Sequence, residues 1–295
     1  TEEMGMYWKE NERGYYWYQA PIETQALIIE ALHTISQDVK ACNNAKIWLL
    51  RNKQTSDWKT TTATANAAYA LLIGGNAFTD QSEQVTIEVG GKVINPADFG
   101  AAVEAGTGYF QTSWTGKEVS ADLGKIKVTR NTEGFSYGAM YWQYYESMEK
   151  VTSAETSLKL KKQLFVVRQT SSGEVIAPIK DTDRLKKGEK VRVRIELVTD
   201  RNMEFVHMKD YRAAGFEPIN VLSSYKRQGR LGYYENTRDV ATHFFFDYLP
   251  KGTYVFEYDL RVSHTGNFTN GFATIQCMYA PEFTSHSNGV RVVVE

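Results

Sequence analysis

The run Phe244-Phe-Phe-Asp-Tyr-Leu-Pro-Lys-Gly-Thr-Tyr-Val-Phe-Glu-Tyr-Asp-Leu-Arg-Val262 decides the class of fold. Tyr254, Phe256, Tyr258, Leu260 and Val262 fall on one side, and Thr253, Glu257, Asp259 and Arg261 on the other. That period of two marks a strand with one wet face. Pro250 suits the second position of a type I turn and Gly252 the fourth, so Phe244 to Tyr248 is expected to fold back on Tyr254 to Val262. Ala273, Ile275, Cys277 and Tyr279 repeat the inward pattern, as do Val290, Val292 and Val294. The stretch from Phe244 to Glu295 therefore reads as antiparallel strands of a sandwich.

Upstream, the same pattern begins near Ser157. Leu158, Leu160 and Leu164 to Val167 make a first strand, and Val191, Val193, Ile195 and Leu197 alternate with Arg192, Arg194 and Glu196 in another. Phe205 to Met208 starts a short strand, and Ala213-Ala-Gly-Phe-Glu-Pro218 turns the chain. Asn220 to Thr242 is expected to be a polar loop long enough to carry function. Between the linker-like Glu146 to Glu155 and Thr86 lies a smaller β region, with strands expected at Val85–Val89, Tyr109–Trp114, Lys125–Arg130 and Ala139–Tyr144. Gly90-Gly91, Thr115-Gly116 and Glu133-Gly134 punctuate it.

The first eighty or so residues are helical by pattern. Pro21 suits the first helical position with Glu23 in the first turn. Ile22, Ala26 to Ile29, Ala31, Leu32 and Ile35 cover most of that helix, which predicts burial on several sides, with His33 as a core residue. A second helix runs from about Ala41 to Lys53, and a third from Thr60 to Gly74-Gly75 with small side chains that permit close approach. Sliding the chain by 39 residues sets Ala31-Leu32 on Ala70-Leu71, Ala26 on Ala65 and Pro21 on Thr60. Such a period suggests a helical-pair repeat whose other copies lie upstream.

A chain of 295 residues with a net charge of −1 has no overall attraction for polyanions, so nucleic acid is not an expected partner. The two cysteines, Cys42 and Cys277, read as buried free thiols. No apolar run is long enough to span a membrane, and Thr1-Glu-Glu-Met has no signal-peptide character, so the chain reads as a mature fragment or an excised piece of a longer protein.

The C-terminal part resembles the receptor-binding β-sandwich of α2-macroglobulin-like proteins, especially bacterial ones. The resemblance lies in Ala214-Gly-Phe-Glu-Pro218, Tyr248-Leu-Pro-Lys-Gly-Thr-Tyr254, Tyr258-Asp-Leu-Arg-Val262, His264-Thr-Gly-Asn-Phe268 and Cys277-Met-Tyr-Ala-Pro-Glu282. Pro21-Ile-Glu-Thr-Gln25 and Trp58-Lys-Thr-Thr-Thr62 look like helix starts in that family's α/α toroid. The fold it implies is multidomain α + β: the C-terminal part of a toroid over 1–80, a small β domain (one CUB-like half) over 81–152, and a macroglobulin-like antiparallel sandwich over 153–295. The function implied is a noncatalytic portion of an extracellular, periplasmic or cell-envelope protease trap, whose partners are proteinases, met through the full-length parent, and upstream domains of the same chain. Cys42 is followed by Asn43-Asn44 and lacks the Cys-Gly-Glu-Gln thioester pattern, so covalent capture is unsupported in this segment.

No catalytic, metal or cofactor motif is expected. His207, His243, His264 and His286 are scattered, and there is no G-x-S-x-G, P-loop or dinucleotide fingerprint. Lys209, Arg212, Lys226, Arg227 and Arg230 form the basic cluster closest in kind to the lysines through which vertebrate relatives bind receptor. Tyr15, Tyr16 and Trp17 suit an aromatic surface. They keep open a rival reading, a carbohydrate-binding or polysaccharide-active toroid plus sandwich, and a third, a plain adhesion module.

Overall fold

The computed structural model describes residues 4–11, 16, 18–74, 85–104, 108–130, 136 and 138–295, so Tyr15, Trp17, Gly75 and Glu133-Gly134 lie outside the described residues. The chain divides into two compact units, residues 1–50 with 58–139 and residues 51–57 with 140–295.

In the first unit, helix α1 (Pro21–Ala31) passes into a π-helical turn over Leu32–Ser36 that ends at Gln37 with φ 52°. Helices α2 (Val39–Thr55) and α3 (Thr61–Leu72) follow. Thr60 starts α3 because its hydroxyl accepts from Ala63 N at 2.9 Å, which satisfies one of the helix's orphan donors. The core is one stripe from each helix at helical spacing: Ile22, Ala26 and Ile29, then Cys42, Ala45 and Leu49, then Ala63, Ala67 and Ala70, with Trp58. The alanines of α3 keep its backbone close to α1. Gln25 is sealed in this core and donates to Met6 O and Ala45 O at 2.9 and 3.1 Å.

Burial on several sides does not hold for α1. Leu27 is 65% exposed and Ile35 82%, because among the described residues the packing on α1 gathers on the Ile22–Ala26–Ile29 stripe. His33 is exposed rather than a core residue. A small sheet completes the unit: β1 (Thr86–Val89), β2 (Lys92–Val93) and β3 (Ile126–Thr129) in the order β2-β1-β3. Tyr109–Trp114 and Ala139–Tyr144 form no strands. No strand ladder forms there, and Tyr109, Met140, Trp142 and Tyr144 stay exposed.

The second unit is a two-layer sandwich. Its strands are β4 (Leu158–Thr170), β5 (Gly173–Pro178), β6 (Arg184–Leu185), β7 (Lys190–Thr199), β8 (Met203–Tyr211), β9 (Phe216–Pro218) and β10 (Ser224–Gln228), then β11 (Leu231–Thr237), β12 (Ala241–Leu249), β13 (Gly252–Val262), β14 (Gly266–Gly271), β15 (Ala273–Cys277), β16 (Ala280–His286) and β17 (Val290–Val294). One layer has the order β10-β11-β12-β8-β15-β16 and the other β5-β4-β7-β13-β9, with a small sheet β14-β17-β6 beside them.

The alternation read from the sequence holds: Phe256, Leu260 and Val262 are buried, and Thr253, Glu257 and Arg261 are not. The expected hairpin does not. β12 pairs with β8 and β11, and β13 with β7 and β9, so Pro250 and Lys251 carry the chain from one layer to the other. Phe244 and Phe246 consequently face Phe256 across the core, with ring centroids 5.5 and 5.6 Å apart. Tyr279 is 79% exposed, since it lies in the β15–β16 turn and not on the strand. The expected loop from Asn220 to Thr242 is mostly the β10–β11 hairpin. The Glu146–Glu155 segment is held on the sandwich: Gly289 N donates to Val151 O at 2.7 Å, and Ala154 and His286 exchange both backbone hydrogen bonds at 3.0 Å.

Candidate functional site

Polar groups gather at three places in the sandwich. The first is inside it. On β4 the inward positions are Leu158, Leu160, Lys162, Leu164 and Val166, so a lysine occupies a core position. On β8 the inward series Val206, Met208 ends on Asp210. Lys162 Nζ lies 2.6 Å from Asp210 Oδ1, and both side chains are 0% exposed. Nζ also donates to Tyr211 O at 2.7 Å and Asn270 O at 3.3 Å. The Tyr258 hydroxyl, from β13 in the opposite layer to β8, donates to Asp210 Oδ2 at 2.5 Å. Burial pushes the Lys162 amine down and, against the pull of Lys162, the Asp210 carboxyl up. Burial, reinforced by Asp210, also keeps the Tyr258 phenol protonated.

The second is a cleft of about 400 Å³ where the edge of β13 beyond β9 faces β10 and β11. Arg192 and Asp259 meet there in a two-pronged pair at 2.7 and 3.0 Å, and Lys226 reaches Glu235 at 2.7 Å. Burial raises the Asp259 carboxyl, but hydrogen bonds from Arg192 and Lys190 outweigh it and hold the group below its usual range.

The third lies on the outer face of the six-stranded layer. His207 and His243, read as scattered, are joined by a ring-nitrogen hydrogen bond of 2.9 Å. Antiparallel pairing of β8 with β12 brings them together, and Phe245 stacks on His207 at 4.7 Å. Burial lowers both histidines, with His243 and Lys209 adding to the effect on His207, and Lys209 and Arg238 to that on His243. Among the described residues no group of three or more His, Cys, Asp or Glu is placed to hold a metal ion.

The basic cluster is spread over different environments. Lys209 lies over the Tyr211 ring, 4.2 Å from its centroid. Arg227 and Arg230 are exposed, whereas Lys226 turns into the cleft. Arg212 is interior, 7% exposed, and donates to the backbone oxygens of Arg238 and Asp239. Tyr16 is exposed and stacks on Tyr18 at 5.3 Å; Tyr15 and Trp17 are outside the described residues. Cys42 and Cys277 are free and buried.

The geometry defines an antiparallel macroglobulin-like sandwich with a polar centre, and comparison with known proteins gives the family of that region. Residues 158–282 match the family model described as Bacterial Alpha-2-macroglobulin MG10 domain, so the C-terminal region of the chain is alpha-2-macroglobulin-like. Among solved structures, a mutant of Salmonella alpha-2-macroglobulin is 17% identical, with 96% of this chain and 18% of that one covered and a TM-score of 0.38. Trypsin-activated alpha-2-macroglobulin from Escherichia coli is 12% identical, with 93% and 18% covered and a TM-score of 0.43. A native Escherichia coli alpha-2-macroglobulin structure running from domain MG7 to the C-terminus is 13% identical, with 95% and 43% covered and a TM-score of 0.39. Circularly permutated Ras protein 2 of Dictyostelium discoideum is 27% identical over 107 residues, 36% of this chain and 3% of that protein. The chain thus spans less than half the length of each of these proteins. No helix among the described residues is long and apolar enough to cross a membrane.

Proposed function

We propose that this chain is the C-terminal portion of a bacterial-type macroglobulin-like protease trap, acting outside the cytoplasm and without bond chemistry of its own on the proteinase. The observation that carries the reading is the MG10-type sandwich over 158–282. In such a trap, cleavage of an upstream bait segment releases a conformational change already stored in the uncut protein, and the domains move as bodies around the enzyme. Residues 1–80 would be toroid, 81–152 a β domain and 153–295 the sandwich. Leu27, Ile35, Tyr69 and Leu72, exposed at 65%, 82%, 57% and 57%, suit helices that neighbouring toroid helices cover. Of the basic cluster, Arg227 and Arg230 are the exposed members and would be the ones to meet a partner.

The test uses the full-length parent and an active proteinase. The expected outcome is cleavage at one upstream segment, a smaller radius of gyration by X-ray scattering, and co-elution of the enzyme. A parent that is cut but keeps its dimensions and releases the enzyme is not a trap. The stacked Tyr16–Tyr18 pair favours one rival, a glycan platform. Absence of binding across a broad glycan array, with Trp17→Ala as the control, removes it.

A further inference from the structure

Lys162 and Asp210 stand on strands of opposite layers, β4 and β8, and meet where solvent does not reach. Their ladder neighbours are Ile195 beside Lys162, and Ala273 and Thr242 on the two sides of Asp210. We propose that these two side chains condense with each other, forming an intramolecular isopeptide cross-link between the layers, with Tyr258 as the group that holds the reacting carboxyl.

The chemistry needs a neutral amine, a neutral carboxylic acid, a donor for the oxygen on which charge develops, and exclusion of water. The donor and the dry surroundings are in place, and burial shifts both groups toward their neutral forms. Desolvation is the largest influence on both groups and disfavours both charged forms; it outweighs the mutual attraction of Lys162 and Asp210 and the pull of Tyr258 and Arg212 on the carboxyl. Tyr258 stays protonated and donates to Oδ2 at 2.5 Å, which marks Oδ2 as the oxygen retained. Lys162 Nζ lies 2.6 Å from Oδ1, which marks Oδ1 as the oxygen that leaves. A near-attack arrangement sets the two reacting atoms roughly 3–3.5 Å apart, and Nζ already lies 2.6 Å from the oxygen bonded to Cγ.

The nitrogen lone pair attacks Cγ, and the C=O electrons move to Oδ2 under the Tyr258 hydrogen bond. One proton then passes from nitrogen to the Oδ1 hydroxyl, the Cγ–Oδ1 bond breaks, water leaves and the carbonyl at Oδ2 reforms. No oxidant or cofactor enters. The amide keeps one N–H, directed at Tyr211 O, now 2.7 Å away; the weaker contact to Asn270 O, at 3.3 Å, is given up. The product carries no charge, so it escapes the desolvation cost that either ion meets in a dry interior.

The test is the intact mass of the purified full chain under denaturing conditions, followed by tandem mass spectrometry of its protease digest. The expected result is a mass one water below that of the sequence, and a branched peptide joining the segments around Lys162 and Asp210. Lys162→Met and Asp210→Ala should each restore the full sequence mass, and Tyr258→Phe should leave a mixture of linked and unlinked chains. A wild-type chain at full sequence mass overturns the proposal without any need for a variant to fold. So does a water loss that maps elsewhere.

Discussion

The helical part of the first unit and the sandwich of the second handle apolar surface in opposite ways. In the sandwich, alternation sends one residue in two inward, and the second layer closes over them, so Phe244, Phe246, Phe256, Leu197 and Ile195 are all below 3% exposure. In α1, apolar residues cover most of the cylinder, but the buried ones form the single stripe Ile22, Ala26 and Ile29. Leu27, Val39 and Leu72 are left outside, 57–68% exposed. A strand pattern with period two states its own buried face. A helix that is apolar all round states only that more neighbours are required.

Substitutions sharpen this contrast, the largest at the sandwich centre. Lys162→Met leaves the buried Asp210 carboxyl without its lysine partner and should cost about 3–5 kcal/mol in denaturant unfolding of the chain. The double change Lys162→Met with Asp210→Leu should cost clearly less, because no buried carboxyl is then left without a partner. Phe256→Ala should likewise cost about 3–5 kcal/mol, while Leu27→Ala on the open side of α1 should stay within about 0.5 kcal/mol. Equal costs at Phe256 and Leu27 would erase the distinction between the two regions. Ala67→Leu, at 0% exposure on α3, should overpack the helical core by about 1–3 kcal/mol and register as a lower melting temperature.

The smallest effect is a pH dependence. His207 and His243 are both lowered in the fold, so between the folded values and the ordinary value near 6.5 the unfolded chain binds more protons. Stability is complete above about pH 6.5 and falls as acid protonates the pair. The groups facing it, Lys209 and Arg238, are cationic and add to that loss. In the His207→Gln/His243→Gln chain the slope of unfolding free energy between about pH 5 and pH 6.5 should flatten. An unchanged slope would assign the acid sensitivity to other groups.

Much of the fold was legible in the residues. The strand face of Tyr254 to Val262, the proline start of α1 and the two free thiols came from local pattern. Pairing partners did not. Leu249-Pro-Lys-Gly252 has the chemistry of a turn whether the chain folds back on itself or crosses to the other layer. Only the fit of β12 to β8 and of β13 to β7, far away in sequence, decides which. His207 and His243 are 36 residues apart and meet for the same reason. The polar centre left a usable signal: Lys162 sits in register between Leu160 and Leu164, where a hydrophobic residue belongs. Arg212, grouped with exposed bases because of its charge, is interior because backbone oxygens of Arg238 and Asp239 receive its guanidinium.

The segment that enters the sandwich is fastened to it by the Gly289–Val151 and Ala154–His286 hydrogen bonds, and by Ser153 N to Asn288 Oδ1 at 2.7 Å. A side chain on Gly289 would come within 2.0 Å of Met148 O, so that fastening tolerates nothing larger than hydrogen there. A substitution at Gly289 would therefore undo the backbone join between the entering segment and the turn from β16 to β17, so a single missing side chain decides how the chain is seated there.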